Sequence, residues 1–455
     1  MVASVAAQLG LKVTLVEKSD RLGGDCLHHG CVPSKALIHA AKVAALIRGA
    51  AQFGLPEQKL PVDLEAVNER VQQVIDRIQD HDDPERFRGY GCEVLLGKAA
   101  EFVSPRELRV GEKSVCARRF VIATGSRPAV PVVPGLESAG YLTNLDVFSL
   151  RALPRRLVVL GGGPIGVELA QAFGRLGSHV TVVERLTQLL PREDSELCAM
   201  LRDCLESEGV SVRTGVDVER VELRGKTKVV HCSGAAELEA DAILVAAGRR
   251  SNVEGLGLEA AGVRYSTHGI EVDGRLRSSQ RHIYACGDVC GPYAFTHMAE
   301  YQAGIIISNA VFRLRRRVDY RVVPRVTFSD PELAQVGLSE SEARSRGIDP
   351  KILRFPFSQI DRALAEREEQ GMLKLVTHRG KLLGASMLGP HAGELIHEMV
   401  LAMKSGASVA TIASTIHAYP TLAQIHRRTA NTAFAQTLFS PATRHLVRWL
   451  QRLIP

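Results

Sequence analysis

Residues 157–184 read LVVLGGGPIGVELAQAFGRLGSHVTVVE, and this stretch sets the architecture. Leu157–Leu160 is an unbroken apolar run, the signature of a strand buried on both faces of a parallel sheet. Gly161, Gly162 and Gly163 follow at once, then Pro164, Ile165 and Gly166, with the proline where a first helical turn tolerates it. VELAQAFGRLG has helical character, and the β-branched HVTVVE closes on Glu184. A lone G-x-G-x-x-G motif is weak. Placed between strand and helix, with an acid eighteen residues beyond Gly166 at the end of the next strand, it reads as a βαβ dinucleotide unit.

Working outward, the second half of that unit has an echo: QLGLKVTLVE at 8–17 matches RLGSHVTVVE at 175–184. The same offset from Glu17 puts the third glycine ahead of Met1, so the first strand and phosphate loop of this earlier unit are not in the sequence. The expectation is a start assigned too far downstream. Three further strand-then-loop landmarks follow, FVIATGSRP (120–128), AILVAAGRRSN (242–252) and IYACGDV (283–289), and PAVPVVPG at 128–135 reads as a connection. From Val322 the pattern changes to alternating strands, with a turn at Arg379-Gly380 and two helices.

With 455 residues, two to four domains are expected. Hydrophobic content of 45% and charged content of 24% exclude a disordered or fibrous chain. No run of 18 apolar residues suggests a bilayer span. The +7 net charge is scattered, except at Arg313, Arg315, Arg316, Arg317 and in the tail from Arg444 to Arg452. Without zinc spacing or an aromatic-studded basic stretch, nucleic-acid binding is not expected. Val447, Leu450 and Ile454 with Arg444, Arg448 and Arg452 give the tail an amphipathic, basic character. A terminal helix packed on the last domain is preferred over membrane-surface binding. Nine cysteines, an odd number, do not make a disulfide scaffold. With no signal peptide visible, a cytoplasmic location is expected, thiols reduced but for one catalytic pair.

That pair lies in GGDCLHHGCVPSK, residues 23–35. Cys26 and Cys31 sit five apart on a glycine-rich loop entering the helical ALIHAAKVAALIRG. A thiolate near a helix N-terminus is stabilised by the dipole, and Lys35 adds positive charge. Such a pair can take two electrons and pass them on by thiol–disulfide exchange. The alternatives are two structural thiols, or half a metal site with His28 and His29. Cys286 and Cys290 around Gly287-Asp288 read as ordinary thiols, and Cys92, Cys116, Cys198, Cys204 and Cys232 as packing residues.

CLHHGCVPSK, with ATGSRP, GGGPIGVELA, AAGRRSN, IYACGDV and FSDPELAQVGLSE in that order, resembles the class I pyridine nucleotide–disulfide oxidoreductases, nearest to mercuric-reductase-like members. The resemblance implies an α/β fold with two Rossmann-like domains, binding FAD and NAD(P), plus a C-terminal α+β dimerisation domain. The boundaries are 1–128 (FAD, first part), 129–254 (NAD(P)), 255–321 (FAD, second part) and 322–455 (dimerisation). It implies a flavin-dependent NAD(P)H oxidoreductase, a homodimer, acting on a small-molecule sulfur group or a metal ion. Cys31 would be the flavin-proximal thiol and Cys26 the interchange thiol, with Lys35 near the flavin, paired with Glu168. Glu17, Lys18, Gly24, Thr124, Gly125 and Asp288 would contact FAD. Gly161, Gly163, Ile165, Gly166, Glu184 and Gly248 would contact the nicotinamide nucleotide. Glu184 favours NADH over NADPH, since a 2′-phosphate would meet a carboxylate. No permanent metal is implied, although Cys26 and Cys31 suit Hg(II) as a substrate.

Two departures stand out. Where disulfide reductases carry a catalytic His and its orienting Glu, given across the dimer, this chain has Tyr419 and Gln424 in HAYPTLAQ. A phenol with a pKa of about 10 is a poor base at neutral pH, which argues against lipoamide- or glutathione-like substrates and leaves Hg(II), quinones, dyes, oxygen or another disulfide, with a dihydrolipoamide-dehydrogenase-like enzyme as the alternative. The chain also ends RHLVRWLQRLIP, without the vicinal cysteine pair of mercuric reductases. A non-catalytic scaffold lacking FAD is the rival from another class.

Overall fold

Val13–Val16 and His179–Glu184, the two echoing segments, are both strands in parallel sheets, as their β-branched patterns require. The computed structural model describes residues 1–453 except Glu57, Lys59, Leu60 and Ala235. It divides into two compact units, one of Met1–Val43, Pro56–Pro154 and Ala242–Asp319, the other of Ala44–Leu55, Arg155–Asp241 and Tyr320 onward. Residues 129–154 and 242–254 thus pack with the first unit.

In the first unit, Val13–Val16 pairs in parallel with Cys92–Leu95, and Phe120–Ile122 with Ile283–Ala285. Among the described residues no strand pairs with the other edge of Val13–Val16. Arg249–Ser251 lies antiparallel to Ser126–Pro128, bringing the ends of two sequence motifs side by side. Phe102, Phe120, Ile122, Leu258 and Ile283 fill the core beneath these loops. The stretch Gly24–Arg48 has the length and mean hydropathy of a candidate membrane span. It breaks at His29–Gly30, and Leu37, Ala41 and Ala44 on it are buried while Val43 and Leu46 are exposed.

In the second unit, Arg156–Leu160, His179–Glu184 and Ser211–Thr214 run parallel, and the helix Pro164–Leu176 buries Val167, Leu169, Ala170 and Phe173. The C-terminal part is a five-stranded antiparallel sheet in the order 325–327, 332–337, 381–389, 372–378, 351–356. The expected turn is there: Arg379 and Gly380 both have positive φ, 49° and 74°, matching a type I′ hairpin. Where the sequence suggests two helices, the described residues of this part hold six. Three of them, Glu340–Ser345, Asp361–Glu366 and Val409–Ser414, are too short to show a period. A sixth, Pro441–Gln451, corrects the expectation of a packed tail, because none of its residues is buried in this chain. Ile454, expected to share its apolar face, lies outside the described residues.

Candidate functional site

The cysteine loop is two helices with one tight joint. Gly24–His28 makes a single turn, and a longer helix, Cys31–Arg48, opens on Cys31 itself. The two segments approach so closely at Gly30 that a Cβ there would lie 3.0 Å from the Asp25 carbonyl oxygen and 3.1 Å from Cys26 Cα. Only glycine fits without displacing Cys26. Gly30→Ala is therefore expected to lower stability by about 1–3 kcal/mol, and to slow reoxidation of the dithiol as the sulfurs are pushed apart. Denaturant melts and thiol-reactivity kinetics check this; wild-type values in both would refute it.

The two cysteines meet at one hydroxyl. Thr296, which starts the helix Thr296–Ile306, donates to Cys26 Sγ at 3.1 Å, and its oxygen lies 3.5 Å from Cys31 Sγ. The hydrogen bond to Cys31, and then burial, hold the Cys26 thiol far above its ordinary pKa, so Cys26 keeps its proton within the pair. Lys35, one turn into the same helix as Cys31, donates to Ser34 Oγ at 3.3 Å.

Among the described residues the two cysteines are not grouped with His28 and His29 as metal ligands, and His28 Nε2 lies 2.8 Å from the Leu22 carbonyl. The one group of three metal-ligating side chains found among the described residues is Glu398, His417 and His426. There His426 Nδ1 lies 2.7 Å from Glu398 Oε2, and His417 Nε2 lies 3.1 Å from Glu398 Oε1, so the three side chains hydrogen-bond one another directly. Burial opposes ionisation of Glu398, but the two histidines outweigh it and hold its pKa low.

Four motifs separated in sequence converge around the cysteine loop. Arg249 donates to Asp25 Oδ2 at 2.7 Å and to Ser126 Oγ at 2.7 Å, and Ser126 donates to Asp288 Oδ2 at 2.6 Å. Asn144 donates to the His29 carbonyl at 2.9 Å and to Asp25 Oδ1 at 3.2 Å. Thr124 and Asn252 exchange hydrogen bonds, Thr124 Oγ1 to the Asn252 carbonyl at 2.8 Å and Asn252 Nδ2 back at 2.9 Å. These hydrogen bonds tie the cysteine loop to the loops around Gly125 and Asp288.

The same residues suit parts of FAD. Gly125 has φ of 69° with open space beside its Cα. The Asp288 carboxylate has acceptor capacity beyond its bond to Ser126. Glu17, just past the strand end, accepts the Ser19 N–H at 2.9 Å while Lys18 is exposed, and Gly24 begins the Cys26 turn. This donor and acceptor set fits the ribose and ribityl hydroxyls of the cofactor.

In the second unit Gly161 turns the chain at φ 114° after the strand. Glu184 is fixed by two backbone donors, Gly162 N–H at 2.6 Å and Leu186 N–H at 2.8 Å. Gly163 precedes Pro164 at the helix start, Ile165 is half-buried and Gly166 buried. Gly248, grouped with these by sequence, belongs to the first unit, where its carbonyl accepts from Ala129 N–H at 2.9 Å. Glu168 is no solvated surface acid: it is 5% exposed and accepts the Phe328 N–H at 2.8 Å. Tyr419 is exposed, and its bond to Asp361 raises the phenol pKa further, so still less of it is deprotonated and able to take a proton at neutral pH. Gln424 Nε2 donates to the Ala418 carbonyl.

Burial pushes the thiols of Cys286 and Cys290 up to about 11 and about 12, as expected of ordinary cysteines. Cys92, Cys198, Cys204 and Cys232 are buried, but Cys116 is exposed, contrary to its reading as a packing residue. Thr296, Arg249 and Asn144 were not singled out by sequence. A threonine 265 residues from Cys31 in the chain carries no spacing signal.

Residues 1–303 match the family description "Pyridine nucleotide-disulphide oxidoreductase", and residues 323–430 match the dimerisation domain of that family. A mercuric reductase of Staphylococcus aureus is 34% identical over 425 residues, 92% of this chain and 77% of that protein. A dihydrolipoyl dehydrogenase of Thermus scotoductus is 40% identical over 433 residues, 92% of this chain and 91% of that protein. The HOCl-induced flavoprotein disulfide reductase RclA from Escherichia coli, solved as a Cu(II) complex, superposes with a TM-score of 0.85 at 29% identity, covering 94% of this chain and 96% of that one.

Proposed function

The chain belongs to the pyridine nucleotide–disulphide oxidoreductase family, and from that premise we propose that Cys26 and Cys31 are its redox pair and that a soft metal ion is the acceptor they serve. The family is FAD-dependent, uses NAD(P)H and pairs through its C-terminal domain. When bound, FAD supplies two-electron chemistry between the nicotinamide and the disulfide. The chain's own residues do the rest. Cys31 opens a helix whose N-terminal N–H groups favour negative charge on its sulfur, and Lys35 adds to that field. The hydrogen bond to Cys31 and then burial raise the Cys26 pKa, which favours its protonated form. Glu184, pinned by two N–H donors, suits a ribose 2′-hydroxyl and opposes a 2′-phosphate, which favours NADH.

The observation that carries the reading is the meeting of both sulfurs at the Thr296 hydroxyl. Two adjacent thiols can chelate a soft cation such as Hg(II), and the balance then closes: NADH and Hg(II) give NAD⁺, H⁺ and Hg(0). The relatives support two acceptor classes, a metal ion and a dihydrolipoyl-type disulfide. Tyr419 favours the first, because thiol exchange with a carbon-bound disulfide needs a base that its phenol does not supply. NADH oxidation by the flavin-loaded protein is expected to respond to Hg(II), and to Cu(II) as a second ion, and to respond weakly to lipoamide. Strong lipoamide turnover without a metal response would overturn the choice. Tyr419→His with Gln424→Glu should raise lipoamide activity by about 10²-fold, the typical gain from a positioned base.

A further inference from the structure

We propose that the terminal helix Pro441–Gln451 seats the protein on an anionic lipid surface. The helix has no buried residue: Leu446, Trp449 and Leu450 are 53%, 55% and 42% exposed. At about 100° per residue, Leu446, Val447, Trp449 and Leu450, with Leu453 just beyond the last turn, share one arc of about 160°. Arg444, His445 and Arg448, continued by Arg452, occupy the opposite arc. The start is well defined, since Ser440 caps it by accepting the Thr443 N–H and Pro441 takes the first position.

Charge selects the occupant. After Glu398 the sequence contains no Asp or Glu at all, while Lys404, Arg427, Arg428, Arg444, Arg448 and Arg452 follow. Glu398 is itself engaged by His417 and His426. Arg427 and Arg428 are exposed on the preceding helix, Gln424–Leu438, whose C-terminal end adds exposed Leu438 and Phe439. From residue 399 onward the chain therefore carries exposed apolar side chains and cations but no carboxylate side chain. A second copy packed through the same apolar arc would leave the arginines on the far side without counter-charges. An anionic headgroup layer neutralises them, while the apolar arc enters the acyl boundary and the arginine stems reach back to the phosphates. The helix also lies beyond residue 430, where the match to the dimerisation domain ends. Apolar area and a basic patch are the two signals that together make surface anchoring stable.

Trp449 is the only tryptophan in the protein, so its emission reports on this helix alone. The full-length, flavin-loaded protein is mixed with vesicles of phosphatidylcholine, with or without phosphatidylglycerol. Expected are co-sedimentation and a blue shift of Trp449 with phosphatidylglycerol only, both reversed at about 0.5 M salt, where screening is short-ranged. Leu446→Glu with Leu450→Glu, both at exposed positions, should lower the partition coefficient by about tenfold or more, and so should Arg444→Gln, Arg448→Gln and Arg452→Gln together. Equal binding to both vesicle types would overturn the proposal. Emission that is already blue and unmoved by vesicles would also overturn it, and would point to a helix covered by a second copy. Either variant set binding like the parent would overturn it as well.

Discussion

Cys31→Ser is expected to lower NADH-dependent reduction of Hg(II) by about 10³-fold or more, equivalent to about 4 kcal/mol of transition-state stabilisation. A serine hydroxyl cannot form the sulfur–sulfur bond, and its high pKa makes it a poor anion even at a helix N-terminus. Cys26→Ser should be equally inactive but spectrally different. It leaves the Cys31 sulfur in place at the helix start, 3.5 Å from the Thr296 hydroxyl, and removes the thiol whose proton is held within the pair. The long-wavelength absorbance of a thiolate against the flavin should persist in Cys26→Ser and vanish in Cys31→Ser. If Cys31→Ser retained that absorbance, or reduced the metal at the wild-type rate, the roles given to the two sulfurs would fall.

Lys374→Met is expected to give the largest loss of stability, about 3–5 kcal/mol at neutral pH, the usual penalty for removing one partner from a buried ionic cluster. The Lys374 side chain is 4% exposed, and Nζ lies 2.9 Å from Asp194, 2.9 Å from Glu196 and 3.0 Å from Glu340. Asp194 is as deeply buried and caps the helix Ser195–Ser207, so the cluster joins that helix to the C-terminal sheet. Arg354 would still pair with Glu196 and Glu340, at 2.9 Å and 3.3 Å, which keeps the loss within that range.

The pH dependence has a definite sign. Burial opposes ionisation of Glu196 and Glu340, but hydrogen bonds from Arg354, Lys374 and Arg344 outweigh it and hold both carboxyls below their ordinary pKa. Their stabilisation is complete above the unfolded value of about 4.3 and is lost as pH falls through the lower folded values. The gap between wild type and Lys374→Met should therefore be widest near neutrality and close below about pH 4. Denaturant midpoints at several pH values measure it. A gap under about 1 kcal/mol at neutral pH, or one that widens with acid, would contradict the account.

Sequence by itself determined the elements that depend on near neighbours. The strand–glycine–helix–strand order at 157–184, its echo at 8–17, the hairpin at Arg379-Gly380 and the two cysteines at a helix start all follow from hydrophobic period and turn chemistry, which act over a few residues. Tertiary structure alone decided what meets what. It placed Thr296 between the two sulfurs and linked Asp25, Arg249, Ser126 and Asp288. It also buried Glu168 and left the terminal helix uncovered in this chain. The physical reason is range. A helix start or a type I′ turn is written in the residues that form it, whereas a hydrogen bond spanning more than a hundred residues exists only once the cores beneath its partners have packed.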